Sequence, residues 1–317
     1  MAVYTQVSAE ALASFLERFD VGELVSAKGI AEGVENSNYL VDTTGGRFIL
    51  TLYEKRVSGH DLPYFMALLD HLADRGLPVP PAIKDRDGVE IHALEGRPAC
   101  LIKFLPGVSV SHPTVEQAYA AGAALGEMHK ASADFPLTRV NSMGADTWKP
   151  LLERCGGDLA RIDSLTHLDL PGLLDSVLAD WPTHLPTASI HADLFPDNVL
   201  MRGDTVSGLI DFYFACTDIR AFDLAIMHSA WAFDAAGLTF DAHIGNALIE
   251  GYDATFGLLP EERAAFTVLA KGACLRFFLS RAWDWLNTPA DALVTRKDPM
   301  AYMNRYAIYA AQGGRMA

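Results

Sequence analysis

The stretch His191-Ala192-Asp193-Leu194-Phe195-Pro196-Asp197-Asn198, followed shortly by Ile210-Asp211-Phe212, decides how this chain is read. An imidazole, carboxylates and an amide stand at fixed offsets, each approached or left through apolar residues of the kind that fill buried strands. Val199-Leu200-Met201 and Val206 to Ile210 are short apolar runs. Arg202-Gly203-Asp204-Thr205 between them is a turn-forming cluster, so the runs are predicted to fold as a hairpin. Antiparallel pairing then sets Asn198, just before the first strand, beside Asp211, just after the second. An amide carbonyl and a carboxylate at one end of a hairpin are hard oxygen ligands, suited to a magnesium ion that keeps waters and binds phosphates. Asp193, upstream in the same loop, is placed to orient or deprotonate a hydroxyl. Asp and Asn also gather in loops simply because they bond nearby backbone. The coupled Ile-Asp-Phe after the hairpin lifts the pattern above that background.

With 317 residues, half of them apolar, the chain can bury two substantial cores. Its formal net charge of −15 argues against a nucleic-acid or anionic-membrane partner. The same charge demands local cations wherever a polyanion is to bind. Cys100, Cys155, Cys216 and Cys274 are scattered, with no Cys-x-x-Cys and no His at zinc-site spacing, so reduced thiols and a cytoplasmic location are expected. The amino terminus shows no basic region followed by an apolar run, and no secretory leader is expected. The most apolar internal stretch, Leu224 to Phe233, is too short to span a bilayer.

Ser8 is predicted to cap a helix in which Ala11, Leu12, Phe15, Leu16 and Phe19 recur at helical spacing. Lys28 to Asn38 reads as a glycine-bearing loop, Tyr39-Leu40-Val41 as a strand, Thr43 to Gly46 as a turn and Phe48 to Tyr53 as a second strand. A helix follows from about Asp61 to Arg75, ended by Gly76 and Pro78. Ala99 to Phe104 reads as a buried strand that Leu105-Pro106-Gly107 breaks. The remainder is expected to be mostly helical. Thr114 and Gln117 make a capping box for a helix whose face carries Val115, Ala118, Gly122, Leu125 and His129. His129, on that apolar stripe, is read as a core histidine. Glu261 to Leu286 reads as one long helix with Arg276 on or beside its inner stripe. A buried guanidinium needs an anionic or hydrogen-bonding partner, and an internal acid or a ligand carboxylate would each serve.

His191-x-Asp193-x-x-x-x-Asn198 with Asp211 after a short hairpin resembles the catalytic core of the aminoglycoside phosphotransferase and choline kinase superfamily, a branch of the protein-kinase-like fold. Leu125-Gly126-Glu127-Met128-His129 resembles that superfamily's Leu-Gly-x-x-His helix, and Asp218 and Asp223 stand where it carries acids after the metal Asp. Gly29 to Tyr39, Phe48 to Arg56, His191 to Asn198 and Asp211 to Cys216 are most similar to its homoserine kinase family, and the likeness runs nearly end to end. The resemblance implies an α+β, protein-kinase-like two-lobed fold. Its N-terminal nucleotide-binding lobe, with an antiparallel sheet, would cover residues 1–104 and its mainly helical catalytic lobe residues 105–317, with a hinge near 103–107. Asp193 is implied as the catalytic Asp, Asn198 and Asp211 as metal ligands, and His191 and His129 as structural support. ATP with Mg2+ is expected to meet Gly33, Asn36, Ser37, Asn38, Thr51, Lys103 and Leu105, the adenine bonding backbone near Lys103 to Leu105. The implied acceptor is L-homoserine, phosphorylated on its hydroxyl for threonine biosynthesis, with Tyr213, Arg276 and Arg281 as its contacts. Guanidinium groups suit its carboxylate.

The pattern departs from the superfamily in one respect. Many members carry a Lys or Arg on a strand, paired with a helical Glu, where this chain has Thr51 and, near the helix position, Phe65. Loss of both halves reads as a coordinated rearrangement, with Lys55 or Arg56 as substitute phosphate contacts. Two other readings stay open. One is a kinase of another small hydroxyl compound, such as choline, methylthioribose or an aminoglycoside; choline would call for an aromatic cage from Tyr213, Trp231 and Trp283. The other is a non-catalytic nucleotide-binding regulator, against which the intact Asp193, Asn198 and Asp211 set argues.

Overall fold

A computed structural model of the chain describes residues 5–30, 36–54, 59–162, 168–288 and 296–311. Contacts separate it into two compact units, Met1–Pro106 with Gly208–Tyr213, and Gly107–Ser207 with Phe214–Ala317.

The first unit is built on an antiparallel sheet of β1 (Leu24–Ile30), β2 (Asn36–Thr43), β3 (Gly46–Tyr53), β4 (His92–Leu94) and β5 (Arg97–Lys103), in the order β1-β2-β3-β5-β4. Val41, Leu50, Leu52 and Leu101 from the sheet pack with Leu12, Phe15, Leu16 and Phe19 around helix α1 (Ala9–Leu16). Each such side chain removed from water contributes about 1.5–3 kcal/mol. Ser8 caps α1, its Oγ accepting from the Ala11 N–H at 3.1 Å. Helix α2 (Leu62–Asp74) is followed by Gly76 at φ +84°, a left-handed turn open to a residue without Cβ.

Two stretches differ from expectation. The loop foreseen over Lys28 to Asn38 is strand at both ends, since Lys28, Gly29 and Ile30 lie in β1 and Asn36, Ser37 and Asn38 in β2. β1 has mostly exposed side chains and so lacks an alternating pattern; its backbone pairing, Lys28 with Leu40 and Ile30 with Asn38, makes the strand. The β4–β5 hairpin was likewise not foreseen, and β5 begins at Arg97 rather than Ala99. Its turn is Glu95-Gly96, with φ of +50° and +72°, the positive pair that suits the twist of tight hairpins.

Downstream, β6 (Thr187–Ile190) pairs antiparallel with β9 (Cys216–Ile219), and β7 (Val199–Arg202) with β8 (Thr205–Leu209) forms the expected hairpin. The remainder is helical: α3 (Val115–Ala131), α4 (Ala145–Cys155), α5 (Leu170–Ala179), α6 (Arg220–Trp231), α7 (Ala242–Thr255), α8 (Pro260–Asn287) and α9 (Met300–Ala311). Thr114 and Gln117 form the capping box of α3. A Cβ at Gly122 of α3 would strike the Leu248 carbonyl of α7, and one at Gly251 of α7 would strike the Tyr119 carbonyl of α3. Glycine thus lets these two backbones touch. α6 is buried along almost its whole length, which makes it the axis of the second unit. An antiparallel sheet in the N-terminal region and a helical C-terminal part complete the α+β fold. No helix among the described residues is long and apolar enough to cross a membrane.

Candidate active site

β6 and β9 pair with Ile190 opposite Cys216, so β6 ends where His191 begins. Ala192 then adopts φ +63°, a left-handed backbone that is strained for a residue with Cβ and persists only when its surroundings impose it. Asp223 of α6 imposes it from one side, accepting from the N–H of His191 at 2.7 Å and of Ala192 at 2.8 Å. From the other side Arg276 of α8 donates to the Ala192 carbonyl. Trp231 of α6 donates through its indole N–H to the Leu194 carbonyl at 3.0 Å. Within the loop the Asp193 N–H donates to His191 Nδ1 at 3.3 Å, and the Phe195 N–H to the Asp193 carbonyl at 2.8 Å. The backbone is thereby held while the Asp193 side chain stays half-buried.

Burial alone would push the Asp223 carboxyl upward. The hydrogen bond and charge of His129, then His191 and its amide, outweigh burial and hold the group below the usual carboxylate range. His129 bridges Asp223 at 3.1 Å and the Tyr252 hydroxyl at 2.9 Å. It is fully buried and braces the loop through Asp223.

Asn198 closes the loop. Its amide nitrogen donates to the Asp193 carbonyl at 2.8 Å and lies 3.5 Å from Asp193 Oδ2. Its amide oxygen makes no hydrogen bond among the described residues. Asn198 stands directly before β7, and Asp211, exposed and at φ +67°, follows β8. Among the described residues no three His, Cys, Asp or Glu side chains cluster as a metal cage. An amide oxygen and a carboxylate oxygen are each hard donors of the kind that a hard cation takes.

Arg276 is 2% exposed, lies 4.3 Å over the Phe277 ring and, among the described residues, donates its one hydrogen bond to the Ala192 carbonyl. Arg281 is half-buried, 4.6 Å over the Tyr302 ring, and donates to the Asp298 carbonyl at 3.3 Å. Phe195 and Pro196, with Ser109, Val110, Ser111 and Asp197, line an open cleft of about 460 Å³. The three aromatics considered for a cage all have other partners. Trp231 holds Leu194, Trp283 carries the Arg154 guanidinium at 4.2 Å, and Tyr213 is bonded within the first unit.

In that unit Thr51, 2% exposed, lies opposite Asn38 and Cys100. Its hydroxyl donates to Asn38 Oδ1 at 2.8 Å, and the Tyr213 hydroxyl accepts from Tyr53 at 3.3 Å. Phe65 meets the Tyr213 ring edge-on at 5.9 Å. Thr51 is thus set beside an amide in a neutral hydrogen bond, and Phe65 presents an aromatic edge. Asn36 accepts from the Glu54 N–H at 3.4 Å, and Ser37 donates to Glu54 Oε1 at 2.7 Å. The side chains of Asn36, Ser37 and Asn38 are thus engaged with their own sheet. The Lys103 N–H is committed to the Pro81 carbonyl at 3.1 Å, and its side chain is exposed; Leu105 is half-buried. Gly33, Lys55 and Arg56 lie outside the described residues.

Residues 26–258 match the phosphotransferase enzyme family, APH. The chain belongs to this family. Homoserine kinase of Zymomonas mobilis subsp. mobilis is 54% identical to this family member over 311 residues, 98% of this chain and 97% of that protein. Homoserine kinase of Acidiphilium cryptum is 50% identical over 315 residues, 99% of this chain and 98% of that protein. Among solved structures, amicoumacin kinase hAmiN in complex with AMP-PNP, Ca2+ and Ami superposes with a TM-score of 0.73 at 15% identity, over 96% of this chain and 94% of that one. The microcompartment-associated aminopropanol kinase does so with a TM-score of 0.66 at 18% identity, over 98% and 100%. Identities that low speak to fold, and the fold is that of this phosphotransferase family. Membership carries a kinase's general needs, ATP and a divalent cation.

Sequence reasoning missed the seat of Asp223 under the loop and the whole contribution of α9, including Tyr302 and Arg305. A signal existed for each. Asp223 is a lone carboxylate in the apolar run Ala221 to Met227, and Arg305 a lone guanidinium between Met303 and Tyr306.

Proposed function

We propose that this phosphotransferase moves the γ-phosphoryl group of ATP to the hydroxyl of L-homoserine, giving O-phospho-L-homoserine for threonine biosynthesis. The observation that carries the reading is the identity, at about half of all positions and over nearly the full length, to homoserine kinases. The braced loop supplies the chemistry. Asp193 orients the acceptor hydroxyl in line with the γ-phosphorus and takes its proton as the new O–P bond forms and the bond to the leaving ADP breaks. Asn198, through its amide oxygen, and Asp211, through its carboxylate, are the residues to hold the cation; hard oxygen donors favour Mg2+. When bound, that ion neutralises charge on the transferred phosphates. Backbone amides around Gly33 and Asn36 to Asn38 serve the nucleotide phosphates, since amides suffice for such binding. The Leu105 N–H serves the adenine edge, because that of Lys103 is already used. Thr51, bonded to Asn38, serves the nucleotide side, and Tyr213 the acceptor side. Four buried free cysteines suit a reducing cytoplasm.

A coupled ADP-release assay over L-homoserine, choline, methylthioribose and an aminoglycoside tests the substrate. L-Homoserine is expected to exceed the others in kcat/KM by at least about 100-fold. Faster turnover of any competitor overturns the assignment.

A further inference from the structure

Arg276 and Arg281 of α8 and Arg305 of α9 share an unusual environment. The chain holds 40 acidic residues against 25 Lys and Arg, yet none of these arginines has a carboxylate within ion-pair distance among the described residues. Elsewhere the acids are used freely, as at Arg47–Asp42, Arg97–Glu54, Arg220–Glu262 and Arg263–Asp253. Here the cations lean on aromatic rings instead. Arg276 sits 4.3 Å over Phe277, Phe277 stacks on Tyr302 at 5.0 Å, and both Arg281 and Arg305 lie 4.6 Å from the Tyr302 ring centre. Phe195 of the loop meets Phe277 edge-on at 5.0 Å and also lines the open cleft.

Polar atoms of this cluster are also left without partners. The Tyr302 hydroxyl and the Nε atoms of Arg276 and Arg305 are buried and make no hydrogen bond among the described residues. Tyr302 is 0% exposed and Arg305 5%. A buried donor without an acceptor costs about 1–3 kcal/mol, more when charged, so several in one place mark where an acceptor with negative charge is missing. Arg276 and Arg305 are largely tied, Arg276 to the Ala192 carbonyl, Arg305 to those of Ala301 at 2.7 Å and Asp234 at 2.8 Å. Among the described residues Arg281 has only its 3.3 Å bond to the Asp298 carbonyl, which leaves most of its fork for a ligand. Two contacts join this cluster to the loop that carries Asp193, Arg276 donating to the Ala192 carbonyl and Phe277 meeting Phe195 at 5.0 Å. A small molecule with its hydroxyl at Asp193 would therefore extend toward this cluster.

We infer that Arg281 and the Tyr302 hydroxyl, with Arg305 behind them, form an anion subsite that receives the α-carboxylate of the acceptor while Asp193 receives its hydroxyl. The inference rests on the homoserine reading and makes it specific. The carboxylate of homoserine lies at the far end of a short chain from its hydroxyl, and a guanidinium fork grips it through paired hydrogen bonds that a lysine cannot copy. Arg276 in this arrangement positions the loop through Ala192 and leaves the carboxylate to Arg281.

The test compares L-homoserine with propanolamine, which is homoserine without its carboxylate, for the parent and for Arg281→Lys, Arg281→Met and Tyr302→Phe. The parent should prefer homoserine in kcat/KM by about 100-fold or more. Each variant should lower that preference, Arg281→Lys by about 10-fold or more and chiefly through KM for homoserine, with KM for ATP held near the parent value. An unchanged preference in variants that still bind ATP normally overturns the subsite. So does a parent that uses homoserine and propanolamine equally well, which leaves the substrate reading intact. A parent that phosphorylates neither compound overturns both.

Discussion

Asp193 stands on a loop whose amides are nearly all bonded, so replacing its side chain should change chemistry and little else. Asp193→Asn keeps the shape but cannot take a proton, and kcat should fall by about 1,000-fold or more while KM for ATP stays within about threefold. Steady-state kinetics with an ATP-binding control decide it; activity within tenfold of the parent would remove Asp193 from this role. Asp211→Ala should abolish metal-dependent turnover. Asn198→Ala should be rescued in part by excess metal or by manganese. That rescue should be incomplete, because the same amide also donates to the Asp193 carbonyl at 2.8 Å. Titrating Mg2+ and Mn2+ into each variant reads both outcomes, and equal metal dependence in parent and variants would contradict the ligand assignment. At this scale the sequence was legible wherever the offsets are local, which is why His191 to Asn198 could be read directly. Asp223 lies 31 residues from the amide of Ala192 and Arg276 lies 84 from its carbonyl. No short pattern encodes partners so distant, and they emerge only once α6 and α8 have packed against the loop.

Among the elements, the strands and helices with one apolar face were readable, as β3, α2, α3 and α8 show. β1, exposed on most of its length, and the short β4 form through backbone pairing that side-chain pattern does not announce. The register of β2, β3 and β5 encloses Thr51, the position expected from the sequence to stand in for a strand lysine, between Asn38 and Cys100. Restoring the lysine should therefore harm rather than help. Thr51→Lys buries an ammonium with no acid beside Phe65, and stability should drop by about 3 kcal/mol or more. Urea melts measure the loss; a variant of parental stability with tighter ATP binding would show that the rearrangement is not coordinated. α6 carries a second buried group, His228, bonded to Tyr309 of α9 and faced by Gly245 of α7. Burial holds its imidazole down at about 4. The folded state thus keeps it neutral where the unfolded chain, with a value of about 6.5, takes up a proton. Its contribution is whole above that value and declines as pH falls toward 4, by up to about 1.4 kcal/mol per unit. His228→Gln should flatten this slope in urea melts between pH 7 and pH 5, and an unchanged slope would place the titration elsewhere.

For the whole molecule the governing quantity is a net charge of −15. Most of the acids lie at the surface, where they repel one another more in the compact state than in an expanded chain. Salt should therefore stabilise the protein. Between about 10 mM and 150 mM NaCl the screening length falls from roughly 30 Å to 8 Å, and Tm should climb by a few degrees before levelling off. Calorimetry against sucrose at equal osmolality separates screening from general solute effects. The same field acts on the substrates unequally. ATP is a polyanion that must approach a negative molecule, so its KM should hold steady or fall as salt rises, opposite to the behaviour of a protein that captures phosphate on a basic patch. Homoserine has no net charge and on this reading meets the half-buried Arg281 at the edge of a buried cluster, where salt screens poorly, so its KM should hardly move. The contrast between two substrates in one assay removes salt effects on turnover itself. A KM for ATP that rises steeply with NaCl would mean that local cations near the nucleotide already overcome the global field before the metal arrives.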